Sequence, residues 1–180
     1  NARSFLVKDS TGAILVYLNA TPTVAVGDKV SIKGKTSEYS NTWQFTNTGL
    51  TVEKTGTETF TQPTPTVLDG AALDAIAAPV APVYVKVTGT LSVSGNYINL
   101  TVAGATRQGS LKYLADPLLS PVNALNGKRV EVVGYSIGLS GSGKYLDIMV
   151  TSVTEVVVND PAEKIAVEKN ALTLNTNIAI

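Results

Sequence analysis

A chain of 180 residues, 44% of them hydrophobic, carries enough apolar material for one large or two small packed domains, which excludes a disordered polymer. Its 14 basic residues balance its 14 acidic ones, so no net field draws it toward polyanions or anionic membranes. It contains neither Cys nor His: disulfides, zinc–thiolate sites and thiol nucleophiles are excluded, and the commonest general base and metal ligand is missing.

The charge balance is also local. Residues 1–62 hold six bases and five acids, and residues 83–155 hold six and four, so neither half is a basic domain. No apolar run approaches the ~20 residues needed to span a bilayer. Asn1 stands inside sequence patterned like folded protein rather than at a signal peptide, as in a trimmed mature fragment.

Thr, Val, Ile and Tyr recur in short alternating runs broken by Gly, Asn, Ser and Asp, the punctuation of strands and hairpins. Residues 4–8 and 13–18 flank Asp9-Ser-Thr-Gly12, where Asp can cap a turn and Gly can take positive φ, so they are expected to form a hairpin. Residues 29–35 set Val30 and Ile32 against Lys29, Ser31 and Lys33, one buried face and one wet. Strands are expected again at 43–45 and 50–54. From 63 to 82 the composition turns to Pro and Ala around Asp69-Gly-Ala-Ala-Leu-Asp-Ala-Ile-Ala77, read as a linker with one short helix. Strands resume at 83–91, 97–103 and 109–114. A helical or irregular connection over 115–125 precedes strands at 128–137 and 145–158. In the C-terminal extension, 159–180, residues 164–167 and 171–174 alternate like strands, as extra strands or as a lead into a further domain.

Gly27-Asp-Lys-Val30-Ser-Ile32-Lys-Gly34 repeats as Gly127-Lys-Arg-Val130-Glu-Val132-Val-Gly134, each copy followed by a Ser-bearing loop and an aromatic strand. Two copies of one fold are therefore expected, the first over 1–62 and the second over 83–158. Phe5-Leu-Val-Lys-Asp9-Ser-Thr-Gly12-Ala-Ile-Leu-Val resembles the second-to-third-strand hairpin of oligonucleotide/oligosaccharide-binding (OB) domains, and Gly-x-x-Val-x-Ile/Val-x-Gly resembles their fourth strand. Val85-Lys-Val-Thr-Gly89, Tyr97-Ile-Asn-Leu-Thr101 and Gly134-Tyr135 are similar to tandem OB domains of exported proteins, secreted or surface lipoproteins, of gut Bacteroidetes. The resemblance covers residues 4–54 and 83–158. It implies an all-β chain of two consecutive five-stranded OB-type Greek-key barrels in an extracytoplasmic location. The first barrel departs from the pattern, because only three residues precede Ser4 where a first strand belongs. An open edge left there invites pairing with another chain.

Gly138-Leu-Ser-Gly-Ser-Gly143-Lys144 matches the opening of a phosphate-cradling loop, but Tyr145 replaces the magnesium-binding hydroxyl and a strand-like run replaces the helix, so it reads as a hairpin tip. No spacing brings Asp9 to Asp28 or Asp147 to Asp116 for acid–base work, and no loop has the Asp and Asn density of a calcium cage. The expectation is a non-enzyme without cofactor or metal. OB barrels bind through exposed rings with nearby cations. The candidates are Tyr17, Lys33, Lys35, Tyr39 and Trp43 in the first unit and Tyr97, Asn99, Arg107, Lys112, Tyr113, Tyr135, Lys144 and Tyr145 in the second. Alternation of Tyr97, Asn99 and Thr101 against Ile98, Leu100 and Val102 places Tyr97 on the wet face. Asn19-Ala-Thr21 and Asn99-Leu-Thr101 match N-glycosylation sequons, and Asp9-Ser-Thr11 resembles an O-glycosylation site of exported Bacteroidetes proteins. Three functions stay open: an exported module binding an extended polymer, preferably an oligosaccharide, or a protein partner; a single-stranded nucleic-acid binder; and a structural spacer for a neighbouring domain.

Overall fold

Asp9 starts the first hairpin as its residue type dictates. In the computed structural model, which describes residues 3–157, its carboxylate accepts from Thr11 N at 2.7 Å, Gly12 N at 3.2 Å and Thr11 Oγ1 at 2.6 Å. Strands β1 (Ser4–Lys8) and β2 (Ala13–Tyr17) run antiparallel from this turn, with Phe5 opposite Val16. Four short strands follow: β3 (Asp28–Lys33), β4 (Thr36–Tyr39), β5 (Thr42–Phe45) and β6 (Thr51–Thr57). β5 lies parallel to β2 and antiparallel to β4, giving the order β1-β2-β5-β4, while β3 pairs antiparallel with β6 around a bulge at Lys29/Val30.

The remainder is built on longer strands. β7 (Thr66–Leu68) and helix α1 (Gly70–Asp74), whose first turn is capped by Asp69 accepting from Ala72 N at 2.8 Å, lead into β8 (Tyr84–Ser94). Strands β9 (Tyr97–Thr101) and β10 (Gln108–Lys112), helix α2 (Asp116–Ala124), β11 (Arg129–Ser140) and β12 (Tyr145–Glu155) complete the described chain. Pairings run β8–β9–β10–β12–β11, with β10 and β12 parallel, and β11 also bonds back to β8, so each of these five strands has two partners among the others. β7 adds parallel to the first part of β8.

The described residues are therefore mostly strand with two short helices, the all-β class that the sequence pattern implies. Alternation places the core: Ile98 and Leu100 are 7% and 0% exposed while Tyr97 at the start of the same strand is 69% exposed. The core cluster draws every member from between Leu68 and Val150. Two strands were not expected. Thr36-Ser-Glu-Tyr39 has no apolar alternation and becomes β4 only by pairing with β5, and β7 is three residues flanked by Pro65. The Pro- and Ala-rich segment at 63–82 also packs tightly. Leu68, Leu73 and Val80 are buried in the core, and a Cβ on Gly70 would lie 2.4 Å from the Ala103 carbonyl. Among the described residues no helix is long and apolar enough to cross a membrane. The alternating runs at 164–167 and 171–174 lie outside the described residues.

Candidate functional site

A two-residue turn joins β4 to β5, and both of its residues, Ser40 (φ 51°) and Asn41 (φ 57°), are left-handed. That is the conformation whose twist matches a tight hairpin, and Asn adopts it readily. The turn inserts between two backbones, that of β11 in the second unit and that of the 63–82 segment leading into it. Leu139 N–H donates to the Ser40 carbonyl at 2.5 Å, and Val80 N–H donates to the Asn41 carbonyl at 2.6 Å. In return Asn41 Nδ2 donates to the Leu139 carbonyl at 2.8 Å, and Thr42 Oγ1 donates to the Val80 carbonyl at 2.7 Å. Both backbone polar groups of Leu139 and of Val80 are thus satisfied by three consecutive residues of the hairpin. Gly138 permits the approach: its φ is 146° and a Cβ there would stand 2.5 Å from the Ser40 carbonyl oxygen.

Beside this contact lies an open groove of about 580 Å³. The hairpin supplies Glu38, Tyr39, Ser40 and Asn41, and β11 with its following turn supplies Leu139, Ser140, Gly141 and Ser142. The lining holds one ring, hydroxyls, an amide and a carboxylate, and neither Lys nor Arg. Tyr39, 64% exposed, stands at its lip. Behind the lining, Ser140 Oγ donates to Asp147 Oδ1 at 2.8 Å, and Lys112 Nζ lies 3.7 Å from the same oxygen. Asp147 is only 6% exposed, and burial pushes its carboxyl above the ordinary carboxylate value against the opposing pull of Ser140 and Lys112. Burial likewise raises the Tyr113 phenol, which sits within electrostatic reach of Tyr39, Tyr17 and Asp147.

The junction therefore gathers Tyr17, Tyr39, Lys112 and Tyr113 from the residues singled out by sequence. Tyr17 is half-buried, its hydroxyl 3.3 Å from Asn19 Oδ1. Lys144 and Tyr145 follow the turn that borders the groove, with the ammonium 5.5 Å from the ring centroid. The others are elsewhere. Lys33 and Lys35 are exposed at the end of β3. Trp43, 51% exposed, pairs with Glu38 and so projects to the opposite side of the hairpin from Thr42 and Tyr39. Tyr97 and half-buried Asn99 lie along β9. Tyr135 packs on Tyr84 with centroids 4.9 Å apart and donates to Gln62 Oε1 at 3.0 Å.

Arg107 braces the scaffold instead. Its Nε donates to the Gly143 carbonyl at 2.8 Å, and Nη1 donates to the Leu73 and Ile76 carbonyls at 2.8 and 2.9 Å. These bonds tie α1 to the β11–β12 turn. Residues 138–140 end β11 and 141–144 form the turn into β12, a hairpin tip as the sequence implied. Sequence reasoning passed over Glu38, Ser40, Asn41, Ser140 and Ser142. Tyr39-Ser-Asn-Thr42 carries a turn signal, but nothing local tells that it meets residues nearly 100 positions away. Comparison with known proteins finds no matching family model, no matching curated protein and no matching solved structure.

Proposed function

We propose that the chain is a non-catalytic, extracytoplasmic binding module that takes a neutral oligosaccharide in the groove between the Ser40–Asn41 turn and β11. The observation that carries this reading is the lining: an exposed Tyr39 ring beside hydroxyl, amide and carboxylate groups, without a cation. A sugar offers an apolar face to a ring and hydroxyls to such partners. Single-stranded nucleic acid needs a continuous basic track. Here Lys112 is paired with Asp147 and Arg107 with backbone carbonyls, Lys33 and Lys35 lie outside the groove, and Lys144, against the Tyr145 ring just past the bordering turn, is a single cation rather than a track. The architecture supports the same reading: five mutually bonded strands, three before α2 and two after, follow the order of an OB-type barrel, and β1–β6 follow it without a first strand.

Calorimetric titration with neutral oligosaccharides of several linkage types is the test. Binding should be insensitive to salt, and Tyr39→Ala should weaken it about tenfold, equivalent to ~1.4 kcal/mol. Because Tyr39 is exposed, the variant should keep its melting temperature. Tight, strongly salt-dependent binding of single-stranded DNA instead would overturn the sugar reading, and no binding to either polymer would leave a spacer.

A further inference from the structure

Asp147 lies between Leu146 and Ile148, both fully buried in the core, so its side chain leaves β12 on the opposite face. That face is covered too, and Asp147 is only 6% exposed. Its register partners there are Gly138 in β11 and Ser110 in β10. The first has no side chain and the second, itself buried, has a small one, which leaves room for a carboxylate. Two groups reach its Oδ1: the Lys112 ammonium at 3.7 Å and the Ser140 hydroxyl at 2.8 Å.

Ser140 lines the groove, whereas Asp147 does not. A serine hydroxyl has one proton and two lone pairs, and a carboxylate only accepts. The Ser140 proton is therefore directed backwards, into a charge-assisted bond with Asp147, and a molecule in the groove meets the lone pairs alone. Glu38 in the same lining is a second group that only accepts.

We propose that Asp147 is a positioning residue that fixes Ser140 as a hydrogen-bond acceptor in the groove, so that the ligand seated there must donate a proton to Ser140 Oγ. The ligand's class rests on the oligosaccharide reading above. A free sugar hydroxyl meets the requirement. An ether, a ring oxygen or an N-acetyl carbonyl at that point would set lone pairs against lone pairs. The groove thus selects a sugar with one particular hydroxyl unsubstituted, and O-methylation there abolishes the contact.

The test has an arm without ligand and an arm with it. In an equal mixture of light and heavy water, a serine hydroxyl held from exchange splits its Cβ resonance in two. The parent should show this doublet at Ser140. Asp147→Leu, which removes the acceptor, should collapse it to one line, and Asp147→Asn should restore it, because Lys112 turns the amide oxygen toward itself and Ser140. A single line in the parent, or a doublet that survives Asp147→Leu, overturns the proposal.

The second arm titrates deoxy and deoxyfluoro derivatives of a bound neutral oligosaccharide, position by position around the ring. Fluorine only accepts, so at one position the fluoro compound should bind the parent about fivefold more weakly than the deoxy compound. The two should bind alike to Asp147→Leu and to Ser140→Ala. Fluoro compounds that bind the parent at least as well as the deoxy ones at every position also overturn the proposal. The doublet together with no sugar binding supports the Asp147–Ser140 assignment and removes the oligosaccharide reading alone.

Discussion

Asn41 and Leu139 are joined across the two units: the Asn41 amide donates to the Leu139 carbonyl at 2.8 Å, and the Leu139 N–H donates to the carbonyl of Ser40, next to Asn41, at 2.5 Å. The β4–β5 turn thereby continues the free edge of β11, and the groove beside it exists only while this contact holds. A turn that both fixes the units and lines the site links stability to binding.

Asn41→Ala should lose the amide bond, about 1 kcal/mol net, and leave an Ala in left-handed backbone that Asn tolerates better, at a further ~1 kcal/mol. Asn41→Gly should lose only the first. Urea midpoints are therefore expected to fall in the order wild type, Asn41→Gly, Asn41→Ala, and equal midpoints would show that the turn contributes nothing.

Gly138→Ala places a methyl where the Ser40 carbonyl stands at 2.5 Å, so the turn must withdraw. Thermal melts should show destabilisation, and the effect should not add to that of Asn41→Gly, because both act on one contact. Additive losses would place the strain of Gly138→Ala inside β11 alone.

Leu73 lies in the segment whose composition suggests a linker, yet it is 0% exposed. Leu73→Ala should cost ~2–5 kcal/mol, the range for emptying a packed leucine site. A surface linker would lose almost nothing, which chemical denaturation separates readily.

Burial raises the Asp147 carboxyl above its ordinary value, so the folded state holds a proton that the unfolded chain releases. Stability from this group falls as pH rises from the ordinary carboxylate value to the raised one, and the penalty persists above it. Asp147→Asn should be at least as stable as the parent at neutral pH and flatter through the mildly acidic range. Asp28, held down by Lys54, and Asp74, held down by the Thr106 and Arg107 amides, act in the opposite sense: their contribution is present above the ordinary value and lost as pH falls through the lowered one. A parent whose stability does not depend on Asp147 in that window would remove the basis of this expectation.

Period-two patterning and turn chemistry made most of the architecture legible. Asp9 and Gly12 announced the first hairpin, Ile98 and Leu100 the buried face of β9, and Gly27 to Gly34 its later echo at Gly127 to Gly134. These are local properties, written where the residues stand. β4 was not legible, because Thr36-Ser-Glu-Tyr39 is a strand by virtue of its partner. Nor was the role of Arg107, whose pairing with Leu73, Ile76 and Gly143 carbonyls depends on distant backbone.

The sequence by itself determined an all-β chain without His or Cys chemistry, with aromatic residues and balanced charge. Tertiary structure alone decided which of those aromatics come near one another: Tyr39 lies within electrostatic reach of Tyr113 at the junction, while Tyr97 lies along β9 and Tyr135 packs on Tyr84. Alternation states which side of a strand a residue occupies, but the apposition of Asn41 with Leu139 is set by how two sheets pack, and no local pattern encodes that.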